Sequence, residues 1–127
     1  MKKTFIVFIL LLISLPFISS CTVLVAGGAG AGTVAYIKGE LQANLEASFK
    51  KSFGATKRAV DNLRFIKISE QADNLTGEIV ARTAQDKKIT IKLNKVTENM
   101  TEISIRVGMF GDQTLSHSLL EEIKKEL

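Results

Sequence analysis

Ile89-Thr90-Ile91-Lys92-Leu93-Asn94 and, a short turn later, Thr101-Glu102-Ile103-Ser104-Ile105-Arg106-Val107 carry an apolar side chain at every second position. Successive side chains of an extended strand point to opposite faces, so this period gives each segment one apolar and one wet face. Strands of that kind belong to an antiparallel sheet covered on one side only. Working outward, Leu75, Gly77, Ile79 and Ala81 alternate with Thr76, Glu78, Val80 and Arg82, and an earlier strand carries Ile66 and Ile68.

Parity constrains the turns between these strands. For Ile68 to face the same side as Ile79, the loop joining them must have an even number of residues. A two-residue turn at Asp73-Asn74 meets this, since both residues tolerate the left-handed backbone of hairpin turns. The next two hairpins pair odd positions with odd ones and need odd loops. Gln85-Asp86-Lys87 and Thr97-Glu98-Asn99 fit, with Asn99 placed to take a left-handed conformation.

Upstream, Leu41, Ala43 and Leu45 alternate with Gln42, Asn44 and Glu46, which predicts a first strand. Phe49, Phe53, Thr56, Val60 and Leu63 then follow helical spacing, with Gly54 a weak point inside that helix. Near the end of the chain, Asp112 is placed to cap a last helix, whose buried stripe reads Leu115, Leu119, Ile123 and Leu127. Lys124 and Lys125 complement that helix's dipole. The expected architecture is α+β: a single, mainly antiparallel five-stranded sheet with two helices on one face, in the order β-α-β-β-β-β-α. It occupies residues 38–127, enough for one domain with one core. Cys21 is the sole cysteine, so packing alone must hold the domain without an intrachain disulfide.

The first twenty residues have a different character. Lys2 and Lys3 precede an apolar run from Phe5 to Ile13, Pro16 breaks it, and Ile18-Ser19-Ser20-Cys21 follows. A membrane-spanning helix needs about 20 apolar residues, more than this run supplies. Ile18 to Cys21 resembles the bacterial lipobox, with Ile18 for the usual leucine and Ser20 for the usual glycine or alanine. That resemblance implies cleavage before Cys21 and a diacylglycerol on its thiol. Several acyl chains on one residue anchor firmly, whereas a single chain binds only marginally. Thr22 rather than aspartate after the cysteine resembles sorting to the outer membrane, facing the periplasm. Residues 1–20 are thus read as a lipoprotein signal peptide. Removing them takes away two lysines and leaves 15 basic and 13 acidic side chains, a near-neutral chain without the dense basic patch of nucleic-acid binders.

Residues 21–37 join anchor to domain as an uncharged Gly/Ala-rich, membrane-proximal segment, either a flexible tether or a helix packed in the membrane through Gly28 and Gly32. The spacing Gly30-x-Gly32-x-x-Ala35 loosely fits a dinucleotide fingerprint. A true fingerprint opens a helix within a βαβ unit, whereas here a strand is expected next.

Tyr36-Ile37-Lys38-Gly39-Glu40-Leu41 and Thr101-Glu102-Ile103-Ser104-Ile105-Arg106-Val107-Gly108-Met109-Phe110-Gly111-Asp112 resemble signature stretches of a family of small bacterial lipoproteins, catalogued as a domain of unknown function. The likeness runs from the glycine-rich tract to the last helix. It implies lipidation and an α+β domain, and brings no activity, ligand or catalytic residue with it.

The residues themselves offer little for catalysis. His117 and Glu121 stand one helical turn apart, but zinc needs a third protein ligand. Ser116 and Ser118 flank His117 in sequence, and adjacent helix positions do not face one another. No catalytic residue, metal site or cofactor is therefore expected, apart from covalent lipid on Cys21. Met109 and Phe110, set between Gly108 and Gly111, either close the end of the core or form a contact surface for a partner. The sequence points to a non-enzymatic envelope lipoprotein that binds another envelope protein or itself. The alternative is a carrier holding a small molecule or lipid between sheet and helices.

Overall fold

The computed structural model describes residues 1–3, 6 and 34–127. The chain divides into two units, Met1–Ala31 and Gly32–Leu127, and the described fold is that of the second. Ile89, Ile91, Leu93, Ile103, Ile105 and Val107 are all buried, and the residues between them lie on the other face. The alternation that decides the fold therefore does set the two faces of the sheet.

The elements run β1 (Val34–Ile37), β2 (Glu40–Leu45), α1 (Phe49–Asn62), β3 (Ile66–Ala72), β4 (Thr76–Arg82), β5 (Lys88–Thr97), β6 (Met100–Val107) and α2 (Gln113–Lys125). All neighbouring strands are antiparallel, in the order β1-β2-β6-β5-β4-β3. After β2, α1 carries the chain across the inner face to the far edge. A meander from β3 to β6 then returns it to pair with β2. Both helices cover the inner face, where Leu41, Val60, Ile79, Ile91, Leu120 and Ile123 meet in one core.

The α+β class and two-helix covering match expectation, but the sheet has six strands rather than five. The extra strand is Val34–Ile37, which lies in the stretch read from sequence as membrane-proximal. Its Tyr36 pairs with Leu41 across a two-residue turn, Lys38-Gly39, with φ of 51° and 81°. Positive φ at both central residues is the hairpin geometry that matches strand twist.

A second correction concerns β3. Ile66 and Ile68 are not core residues; they are 67% and 53% exposed. The turn is Asn74-Leu75, one residue later than expected, closed by Asp73 N–H donating to Thr76 O at 2.9 Å. The Asp73 carboxylate holds it there, accepting from the backbone N–H of Leu75 and of Thr76, each at 2.7 Å. Moving an even turn by one residue leaves even positions inward, so Glu70 takes the place opposite Ile79 that Ile68 was expected to hold. A bulge between Lys67 and Ser69 then slips the start of the strand by one residue, setting Lys67 opposite Ala81 and Ile66 opposite Arg82 on the outer face. Inward charge on an edge strand also blunts edge-to-edge aggregation.

The other two hairpins keep the expected faces with small shifts. Thr83 and Lys87 close the loop Ala84–Asp86, and Asp86 is the left-handed residue at φ 64°. Between β5 and β6, Ile91 pairs with Ile105, and an irregularity at Val96 leads into a two-residue turn, Glu98-Asn99, instead of three. Asn99 is not left-handed; its N–H instead bonds Thr97 Oγ1 at 3.3 Å.

In α1 the predicted Phe49, Phe53, Thr56 and Val60 are buried, while Leu63 is half-buried. In α2 the buried stripe is Ser116, Leu119, Leu120 and Ile123; Leu115 and Leu127 are only partly covered. Asp112 caps α2 as expected, accepting from Leu115 N–H at 3.0 Å.

Candidate functional site

Two surfaces remain once the inner face is filled. The first is the outer face of the sheet, built from the polar half of each alternation. Register sets Glu40 beside Arg106, Arg106 beside Thr90, and Ser104 beside Lys92. Ser104 Oγ donates to Glu40, and Arg106 Nη2 donates to Lys38 O at 3.2 Å and lies 3.5 Å from Glu40 Oε2. The Ser104 hydroxyl, and after it the Arg106 guanidinium, hold the Glu40 carboxyl below its ordinary pKa. With Thr90 and Lys92 these residues line a shallow depression of about 210 Å³.

A carboxylate so stabilised is a weak base, and the Ser104 hydroxyl is engaged with it rather than with a histidine. The arrangement suits recognition of polar groups better than nucleophilic chemistry. Sequence reading marked this as the wet face of the sheet. It missed the Glu40–Ser104 pairing, which joins residues more than sixty positions apart.

The second surface lies at one end of the sheet. Gly108 and Gly111 have φ of 71° and 84°, and between them Met109 and Phe110 are 83% and 90% exposed. These two side chains therefore do not close the end of the core. The loop is buttressed from behind, since a Cβ at Gly111 would collide with Gly39 O and the Tyr36 hydroxyl. Lys87, Lys88 and Arg106 lie about a shallow hollow shared with Met109.

A third feature is a groove of about 630 Å³ between α1 and the β3–β4 turn, lined in part by Phe49, Phe53, Lys57, Asp73 and Lys95. The two phenyl rings stack with centroids 5.9 Å apart. Lys57 Nζ lies 5.6 Å from the Phe53 centroid and 3.2 Å from Glu70. Lys67, bonding Glu70 at 2.8 Å, is the chief cause of that carboxyl's lowered pKa, ahead of Lys57.

The other sequence candidates are placed as follows. His117 is half-buried on α2, and the Glu121 carboxylate accepts from Lys124 at 3.0 Å. Among the described residues no three His, Cys, Asp or Glu side chains cluster as a metal site would require. Ser116 is buried with its hydroxyl unpaired, and Ser118 bonds Thr114 O. Cys21, Gly30 and Gly32 lie outside the described residues, and Ala35 sits in β1. Among the described residues no helix is long and apolar enough to cross a membrane.

The fold and these surfaces define an α+β domain with one open, polar sheet face and one apolar loop at its end. The chain belongs to the family described as protein of unknown function (DUF3568), which matches residues 3–126. No curated protein matches the chain significantly.

Proposed function

We propose that this chain is a lipid-anchored envelope protein of bacteria and that its domain is a non-enzymatic interaction module. Cys21 carries the lipid after cleavage of residues 1–20, and the protein sits in the outer membrane facing the periplasm. The reading is supported by the run from Lys2 to Cys21 and by one structural observation: the outer sheet face is left open. There Glu40, Ser104 and Arg106 are fixed by contacts across β2 and β6. A polar surface held in one arrangement loses little side-chain entropy on binding a complementary protein.

A photo-crosslinking side chain at Thr90 tests this in living cells, with the same group at Gln113 on α2 as control. The expected result is one discrete protein adduct from Thr90, weakened by Lys92→Glu, and none from Gln113. Equal, diffuse labelling at both positions refutes it. Mass spectrometry of the mature N-terminus tests the anchor separately, and an unmodified Cys21 or an intact signal segment refutes that part.

The alternative, a carrier of a small apolar molecule, is favoured by one observation, the stacked Phe49–Phe53 floor of the groove beside α1. An organic extract of the purified protein that contains a stoichiometric lipid, lost in Phe53→Ala, decides for it.

A further inference from the structure

We infer that the Met109-Phe110 loop is a second membrane contact, inserting into an anionic phospholipid surface and orienting the domain on it. This extends the membrane setting proposed above, and its test does not depend on the anchor.

Three loops converge at this end of the sheet. They are the β1–β2 turn at Lys38-Gly39, the β4–β5 loop ending at Lys87, and the β6–α2 loop carrying Met109 and Phe110. Gly39 and Gly111 pack so closely that the first and third are one rigid unit. The two most exposed large apolar side chains of the folded domain therefore stand on a braced, convex tip, with half-exposed Ile37 at the end of β1. Around them, Asp86 is paired with Arg82 at 2.6 Å and Asp112 with Lys87 at 3.0 Å. Glu40 is paired with Arg106. Lys38 and Lys88 have no acidic partner among the described ion pairs, so the tip carries an excess of positive charge.

Charge distinguishes this end from the other. Leu75 and Val96 are also exposed, but they sit at the opposite end, where Glu98 is paired with Lys95 and Asp73 has no cationic partner among the described ion pairs. An apolar tip rimmed by unpaired cations is complementary to a bilayer, with side chains in the acyl region and ammonium groups among the phosphates. A protein pocket for Phe110 would call for a concave apolar partner and gives no role to the cations behind it.

The experiment uses the full chain with Cys21→Ser, so that no acyl anchor contributes. Met109→Cys is then the sole thiol and carries an environment-sensitive dye; a second protein carries the dye at Asn74→Cys, at the opposite end of β4. Vesicles contain phosphatidylcholine, with or without about one-third phosphatidylglycerol, and acyl-chain nitroxide quenchers. The expected result is a blue-shifted, quenched dye at position 109 on anionic vesicles only, with position 74 unaffected.

Phe110→Ser, an exposed change that leaves the core intact, should weaken that insertion by roughly ten- to hundredfold, the equivalent of burying one phenyl group. Lys38→Asn with Lys88→Gln should weaken it by roughly thirtyfold, at a factor of about five for each cation near an anionic surface. Asparagine is chosen at 38 because it tolerates the positive φ there. An unquenched dye at 109 on anionic vesicles overturns the inference, as does equal quenching at 74 and 109. A dye response that appears only when envelope proteins are added also overturns it, in favour of a protein partner.

Discussion

Replacing Gly77 with alanine adds one methyl group to the inner face of β4, directly beneath the aromatic pair of α1. A Cβ there would lie 2.7 Å from Phe53 Cε2, 2.8 Å from Phe53 Cδ2 and 3.2 Å from Phe49 Cζ. Both rings are largely buried and stacked on each other, so neither can swing aside without disturbing its partner. Overpacking of this kind costs about 1–3 kcal/mol. Replacing a strand glycine returns roughly 0.5–1 kcal/mol, because the unfolded chain has less freedom to lose. The net expectation is a loss of about 1–1.5 kcal/mol, the mean of the overpacking range less that gain. In a domain of this size each kilocalorie lowers the midpoint by about 4–8 °C. Urea melts and calorimetry of wild type, Gly77→Ala, Phe53→Leu and the double variant measure it. Phe53→Leu opens space over position 77, so the double variant should be more stable than the two single losses imply, by at least about 0.5 kcal/mol. A stabilising Gly77→Ala, or strictly additive losses, would refute the packing argument.

Gly54 is the opposite case: its φ is not positive, and a Cβ would approach only the flexible Arg58 guanidinium, at 3.4 Å. Gly54→Ala should therefore stabilise the domain by about 0.5–1 kcal/mol, read from the same melts. Asp112→Ala removes the acceptor for Leu115 N–H and the partner of Lys87, so the melting temperature should fall, and Asp112→Asn should restore much of it. Stability should also depend on pH through Glu40, Glu70, Asp73 and Asp112, whose carboxyl pKa values all lie below their ordinary values in the folded state. Groups shifted in that direction stabilise fully above the unfolded values near 4, and lose the contribution as pH falls through the folded values. Lys67 is raised, chiefly by its hydrogen bond to Glu70, and its contribution is lost only as alkaline pH passes its folded value. Thermal melts should show a plateau from roughly pH 5.5 to 9 and a fall below about 4.5, with a shallower acid limb in Glu40→Gln.

Where sequence reading succeeded, a local period and a large-scale constraint agreed. In β5 and β6 three apolar residues per strand are wholly covered, and any odd slip would expose all six, so the pairing of Ile91 with Ile105 is strongly specified. Even the misplaced loops around Asp86 and Asn99 leave those faces unchanged. β3 had no such safeguard. It offers only Ile66 and Ile68, a bulge between Lys67 and Ser69 turns Ile66 outward, and the turn is placed by one carboxylate choosing which backbone N–H groups to accept. Asp73 binds those of Leu75 and Thr76, and the turn moves by one residue. That choice leaves no trace in hydrophobic period. β1 escaped for a related reason, since a lysine at positive φ is an uncommon turn residue and only Gly39 hinted at a hairpin. The two surfaces divide in the same way. A glycine-flanked Met109-Phe110 pair is visible in one stretch of chain, whereas Lys38 reaches it from the β1–β2 turn and Lys88 from the start of β5. What makes that tip more than two stray apolar side chains is thus a product of topology, which antiparallel register creates and no local pattern encodes.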